Sequence, residues 1–338
     1  MGEHEFTKVP ETHHLMMCGR RYMRLSDTLL TALHSIEEEQ LDTGEIPNYR
    51  KLENGAWEYH FSPLVSAYVA DALAIFDPMS NWFDPFVVEK VGEDDRFAAS
   101  RIASRIRRGI QRFLAWQQSG DGLWRFFGRG SSLPPDRNTT ACCALVLLDR
   151  INISGPGLER VERALRGLPE ARALRGLPAA GKLTGDEAPR SAYERIAEAN
   201  LLRLRVLTTG RAEASEVPKE LPQAEESPPE PAVLHALGRL LRQSGLDPFR
   251  PRIESWLESL IHSQAADASF GSPLNTALAV GALLDFQRDG QAATRAAAWL
   301  RGLNWFRPFT SEEFCSPVCG SPSLTTAFAI SAVARAFA

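Results

Sequence analysis

The chain has 338 residues, 44% of them hydrophobic, and 38 Lys+Arg against 42 Asp+Glu give a formal charge of −4. That balance offers no broad basic field for nucleic acid, and no run approaches the ~18 uncharged apolar residues of a membrane span. Five cysteines, Cys18, Cys142, Cys143, Cys315 and Cys319, show no paired CxxC spacing, which disfavours a disulfide framework or a zinc site.

The opening residues Met1-Gly2-Glu3-His4-Glu5 lack a basic stretch followed by an apolar one, so no secretory leader is expected and a cytoplasmic location is. The length fits one large domain or two, and a chain this long buries a sizeable core without a metal or disulfide staple.

In chain order, apolar residues recur at helical spacing. Leu29, Leu30, Leu33 and Ile36 form one stripe, and Ile102, Ile106, Ile110, Phe113 and Leu114 a second, with Arg101, Arg105, Arg107 and Arg108 on its other faces. Leu234, Leu237, Leu240 and Leu241 follow, then Ile253, Trp256, Leu257 and Leu260, then Ala277, Val280, Leu283 and Leu284. Phe328, Ile330, Val333 and Phe337 come last. Period-two alternation is scarce, so the expected class is all-α.

The chain also repeats itself. Gly271-Ser272-Pro273-Leu274-Asn275-Thr276-Ala277 resembles Gly320-Ser321-Pro322-Ser323-Leu324-Thr325-Thr326-Ala327. Ser62-Pro63-Leu64-Val65-Ser66-Ala67 has the same form, as does Pro135-Asp136-Arg137-Asn138-Thr139-Thr140-Ala141. Upstream of two of these, Gln118-Ser119-Gly120-Asp121-Gly122-Leu123-Trp124 matches Gln264-Ala265-Ala266-Asp267-Ala268-Ser269-Phe270. Gln40-Leu41-Asp42-Thr43-Gly44 is a weaker copy.

A loop with Gln and an aromatic, then a small-residue helix, describes helical hairpins that must stack to bury their apolar faces. Two stretches interrupt the pattern: the tandem Arg163–Pro169 and Arg172–Pro178, read as a surface insertion, and the Glu- and Pro-rich residues 212–231, read as an exposed loop. The hairpins resume beyond each. The expected organisation is therefore one domain over residues 1–338, with residues 1–24 as an N-terminal extension.

The Gln118–Trp124 and Gln264–Phe270 segments resemble the QW repeats (QxxDGSW) of the squalene cyclase and prenyltransferase superfamily. Pro134-Pro135-Asp136-Arg137-Asn138-Thr139-Thr140-Ala141 resembles the DxDD/DxDTT-type motif of class II terpene cyclases. The resemblance runs roughly from Leu25 to Ala338. It implies a single (α/α)6 barrel of repeated hairpins, and a motif at the top of an apolar cavity whose middle Asp protonates an alkene or epoxide of an isoprenoid. In this reading Gln118, Trp124, Gln264 and Phe270 are structural.

The sequence departs from the motif at its middle position, which is Asn138. An amide has no acidic proton to give. Two readings stay open: a natural Asn138, in a binding protein, a divergent enzyme or a cyclase using another acid, or an introduced isosteric Asp→Asn exchange that stalls an otherwise intact cyclase.

Protonating an alkene requires a carboxylic acid kept neutral beside groups that stabilise its conjugate base. Asp136, position 138, Thr139 and Thr140 supply those types, and a helix beginning there would favour the resulting carboxylate. Asp136 or Asn138 as a simple N-cap is the competing reading. A carbocation calls for aromatic walls. Trp57, Tyr59 and Phe61, Phe126 and Phe127, and Trp305, Phe306 and Phe309 are the candidates, against a role in filling hairpin interfaces.

A diphosphate would call for Arg125, Arg129, Arg137 or Arg50-Lys51. It would bring Mg²⁺, for which Glu37-Glu38-Glu39 with Asp42, or Glu93-Asp94-Asp95, are the acidic runs, each equally read as an exposed helix end. His13-His14 with Cys18 invites a zinc reading, but the ligand pattern of the related protein prenyltransferases is absent, and Cys142-Cys143 reads as core. No other cofactor motif is present. Nothing in the sequence speaks to oligomeric state.

Overall fold

The computed structural model describes residues 24–77, 91–148, 155–167, 192–209, 230–244, 250–286, 290–303 and 319–337. Eleven α-helices lie among them: α1 (Leu25–Glu39), α2 (Pro63–Ala72), α3 (Glu93–Gln117), α4 (Arg137–Leu147), α5 (Gly155–Gly167), α6 (Ala192–Thr209), α7 (Pro231–Ser244), α8 (Arg250–His262), α9 (Pro273–Asp285), α10 (Gly290–Gly302) and α11 (Pro322–Phe337). The all-α reading holds. The expected stripes are buried, with Leu29, Leu33 and Ile36 on α1 and Ile106, Ile110 and Leu114 on α3 at most 1% exposed.

Six of these helices close a ring. α2 packs on α4, α4 on α6, α6 on α7, α7 on α9, α9 on α11, and α11 returns to α2. α1, α3, α5 and α10 lie outside it, each packed on one or more ring helices. Three ring helices, α2, α9 and α11, are apolar nearly all round, as expected of elements enclosed on every side. On α9, Leu274 and every residue from Thr276 to Leu283 are buried.

The ring helices begin alike. Pro stands at the first helical position of α2, α9 and α11, where the missing N–H costs nothing. The preceding Ser272 and Ser321 accept a bond from the amide three residues on, at 3.1 and 3.4 Å. In α4 Asp136 is that cap, so Arg137, rather than Pro135, matches the prolines of the other copies.

The Gln loops share one geometry. Gln118 donates to Gly122 O (2.8 Å) and to Arg160 O on α5 (2.9 Å). Gln264 donates to Ala268 O (3.0 Å) and to Ala292 O on α10 (3.1 Å). The weaker copy does the same: Gln40 reaches Gly44 O (2.9 Å) and Ile106 O on α3 (3.0 Å). Each amide thus stitches the end of one outer helix to the next.

Six residues after each Gln, a backbone N–H meets a hydroxyl on the adjoining ring helix. The pairs are Ile46 to Ser66 (2.9 Å), Trp124 to Thr140 (3.1 Å) and Phe270 to Thr276 (2.9 Å). This is the Ser/Thr that precedes Ala in every copy. Gln118, Trp124, Gln264 and Phe270 all take part in these bonds. Trp124 is wholly buried and its indole N–H donates to Leu114 O at 2.8 Å.

A small sheet, which helical periodicity does not announce, completes the fold. β1 (Tyr49–Lys51) pairs antiparallel with β2 (Trp57–Tyr59) and with β3 (Cys319–Gly320), in the order β2-β1-β3. Asn54-Gly55 turns the hairpin, with Gly55 at φ +81°, which suits glycine.

Candidate functional site

Asn138 stands at the second position of α4, on the inner side of the ring, and is wholly buried. Its amide nitrogen donates to the Tyr68 hydroxyl of α2 at 3.0 Å. Its oxygen accepts from the Asn200 amide of α6 at 3.1 Å, with the Cys142 thiol at 3.4 Å. The position is thus held by three neighbouring helices. Cys142 and Cys143, read from the sequence as core, are buried, and burial pushes both thiols up.

Asp136 precedes Asn138 by two residues, at the start of the same helix. It caps α4, accepting from the Thr139 N–H at 2.7 Å and from the Thr139 hydroxyl at 2.6 Å. The capping reading of Asp136 therefore describes its contacts, and Thr139 is its partner. Thr140 is spent on the repeat scaffold, bonded to both the N–H and the carbonyl of Trp124.

One helical turn below Asn138 lies an ionic layer that sequence reasoning missed. Asp71 of α2 receives Arg203 of α6 through two bonds of 2.9 and 3.1 Å. It also receives Arg239 of α7 at 2.9 and 3.0 Å. In the ring α2 and α7 stand opposite one another, so this triad bridges the interior. Burial alone would raise the Asp71 carboxyl; Arg203 and Arg239 outweigh it and hold it well below the usual range.

Beside the triad, Arg335 of α11 meets Asp285 of α9 at 2.6 Å, and His235 of α7 lies 3.7 Å from the same carboxylate. Burial drives His235 down to about 3, so the ring is neutral. Between the two layers is a cavity of about 10 Å³, lined by Tyr68, Asp71, Cys142, Leu145, Asn200 and Arg203, with room for roughly one water. Asp71 alone left a local signal, as a single charge in an apolar helical run; Arg203 and Arg239 each have another arginine, Arg205 and Arg242, within three residues.

The other expected site residues lie apart from Asn138. Phe61 stacks edge-on to Phe113 of α3, with centroids 5.6 Å apart, which is an interface role. Phe126 stacks on Phe127 (4.8 Å), and Phe127 on His60 (4.6 Å). Trp57 and Tyr59 belong to β2, where the Tyr59 hydroxyl donates to Glu45 at 2.7 Å. Trp305, Phe306 and Phe309 lie outside the described residues, as do His13, His14, Cys18 and Cys315.

Arg125 is tied within its own loop to Ser119, to Asp121 (3.1 Å) and to Leu133 O (3.1 Å). Arg129 lies over the Trp116 ring at 5.0 Å and donates to Trp116 O at 3.2 Å. The acidic runs have other employment. Glu37 pairs with Arg105 at 2.7 Å, Glu39 accepts from Ser323, and Glu93, Asp94 and Asp95 form the first turn of α3, where its dipole favours them. Among the described residues no group of three His, Cys, Asp or Glu side chains is placed to hold a metal ion, and no helix is long and apolar enough to cross a membrane. These acids do not fit a Mg²⁺ site, and no step is assigned to one.

No family model matches the sequence, and no curated protein matches it. The fold has clear counterparts. A type II terpene cyclase from Scytonema, MstE, superposes with a TM-score of 0.59 over 93% of this chain and 98% of its own, at 14% identity. A variant of MstE in complex with its substrate geranylgeranyl dihydroxybenzoate gives 0.60 at 15% identity, over 93% of this chain and 97% of that one. The ent-copalyl diphosphate synthase from Streptomyces platensis gives 0.50 at 16% identity, covering 82% of this chain and 50% of its own length. The ring of stacked hairpins is thus the fold of the type II terpene cyclases.

Proposed function

We propose that residues 1–338 form a single α/α barrel that binds a linear isoprenoid within its ring, with Asn138 in the place of the acid that starts class II cyclisation. The observation that carries this reading is the setting of Asn138. It is wholly buried on the inner face, between a phenol and an amide that would serve a carboxyl equally well.

In an Asn138→Asp variant, Asn200 and a rotated Tyr68 hydroxyl both donate to the new group. That favours its anion and makes it a stronger acid. Its proton would pass to the less substituted CH carbon of the distal alkene, whose π pair forms the new C–H bond and leaves the positive charge on the terminal dimethyl carbon. The tertiary cation left behind is captured by the next alkene, closing a ring, and loss of a proton to a base ends the sequence. The chain as it stands binds and does not protonate.

The substrate is read as a prenyl chain of farnesyl or geranylgeranyl length bearing a diphosphate or an aromatic acid, with a drimane-type skeleton as one product. The test is incubation of the protein and of Asn138→Asp with farnesyl diphosphate, geranylgeranyl diphosphate and geranylgeranyl dihydroxybenzoate, followed by mass spectrometry of extracts. Cyclic product from the variant, about 10²-fold or more above the parent, is the expected result. Binding without product from any substrate would instead favour the second reading, a non-catalytic isoprenoid- or partner-binding toroid. That both ends of the Asn138 amide are hydrogen-bonded speaks for that alternative.

A further inference from the structure

The β1–β2 hairpin carries two buried polar side chains, Asn48 and Ser62, and the half-buried His60 to one face, beside the start of α2. Asn48 and His60 extend the ladder by one pair, the His60 N–H donating to Asn48 O at 2.7 Å, so their side chains share a face. Ser62, two residues on in extended backbone, joins them. Asn48 and Ser62 are 0% exposed. Among the described residues, neither amide atom of Asn48, nor Ser62 Oγ, nor His60 Nε2 has a hydrogen-bond partner. Unpaired buried polar atoms are costly and rarely kept without reason.

The second observation concerns α2 itself. Ser62 is its N-cap residue, yet the hydroxyl makes no bond to the helix, whereas Asp136, Ser272 and Ser321 all cap theirs. The Ile46 N–H bond to Ser66 pins the strand leading to Asn48 along this first turn. Unpaired buried polar atoms, among them the Asn48 amide nitrogen and the Ser62 hydroxyl, therefore lie by an uncapped helix start, whose partial positive charge suits oxygen anions.

We propose that Asn48, His60 and Ser62 form a head-group site for a compact oxyanion, a carboxylate or a phosphate, at the N-terminus of α2. Phe127 holds the imidazole edge-on at 4.6 Å, which fixes the direction of Nε2. Burial and the nearby Arg50 keep that imidazole neutral, so it binds as a hydrogen-bond donor rather than as a cation. The site deepens the isoprenoid reading by supplying the pole opposite the apolar tail, but its residues are separate from the Asn138 centre.

The test titrates the intact chain with inorganic pyrophosphate, with benzoate and with farnesol, which has a tail and no anion, by calorimetry. Asn48→Leu and Ser62→Ala are measured in parallel, with melting curves. The expected result is binding of pyrophosphate or benzoate that weakens at least ~10-fold in either variant, with unliganded melting temperatures equal to or above the parent's because an unpaired atom has gone. Which anion binds tells phosphate from carboxylate. Neither anion binding while farnesol binds, or variants that melt lower with unchanged anion binding, overturns the site in favour of trapped water. An anion bound with farnesol excluded keeps the site and overturns the isoprenoid reading.

Discussion

Asp71→Asn tests the bridge across the ring. The carboxylate receives both guanidinium groups, with Arg203, Asp71 and Arg239 side chains only 7%, 19% and 14% exposed. Breaking such a pair leaves buried charge without its counterion, a loss of about 3–5 kcal/mol. The amide keeps one accepting oxygen, which places this substitution near 3. Since the carboxyl is held below its ordinary range, its contribution is present above the unfolded value and fades only as pH falls through the native one, so pH 7 records it in full.

For a chain of 338 residues, an unfolding entropy of about 2.1 cal/mol/K per residue converts 3–5 kcal/mol into roughly 4–7 °C of Tm. Urea and thermal unfolding of the variant measure it. The triple replacement Asp71→Leu, Arg203→Met, Arg239→Met should recover most of the loss, because no charge is left stranded. A change under about 1 kcal/mol for Asp71→Asn would refute the reasoning: the triad would then be solvated and the interior open at that level.

Two further predictions concern stability. Glu45, buried against Tyr59, has its carboxyl raised to about 7, burial outweighing the Tyr59 bond. A raised acid contributes fully below its unfolded value near 4.5 and loses that contribution as pH climbs towards 7. Glu45→Gln should flatten this pH 4.5–7 decline and stabilise the chain at pH 8 by about 1–2 kcal/mol after allowance for screening, read from urea midpoints at a series of pH values. Gln40→Ala, Gln118→Ala and Gln264→Ala each delete two bonds to backbone carbonyls, so each should cost about 1–2 kcal/mol. Because the three loops are separate, the triple variant should lose close to the sum in a denaturation series.

The ring was legible because its signals are local. A Pro at the helix start, a hydroxyl four residues after the cap and an apolar run beyond it all fall within about ten residues. The third Gln loop read as weak only because Ile46 fills the place of Trp124 and Phe270, which hides the likeness in sequence and leaves the backbone bonds unchanged.

The motif was half legible. Sequence placed Asp136 and Asn138 together, but capping geometry turns the first towards Thr139 and the second into the ring. Partners of Asn138 and Asp71 stand 62 to 168 residues away and leave no local pattern. The sheet was missed because its strands are two or three residues long, too short for alternation to register.

The last of those strands has a further consequence. The Gln stitches join residues as near as 28 apart in the chain, whereas the Ser321 hydroxyl reaches Pro47 O across 274 residues, beside the Arg50–Cys319 pairing. By the logarithmic cost of joining distant segments, that contact is about 2 kcal/mol dearer in chain entropy than the nearest stitch. The β1–β3 pairing is therefore a clasp on a bracelet: the wall assembles link by link from neighbouring hairpins, and the circle shuts last. Hydrogen exchange at Tyr49 and Gly320 should accordingly report the weakest seam of the ring, opening before the links on either side.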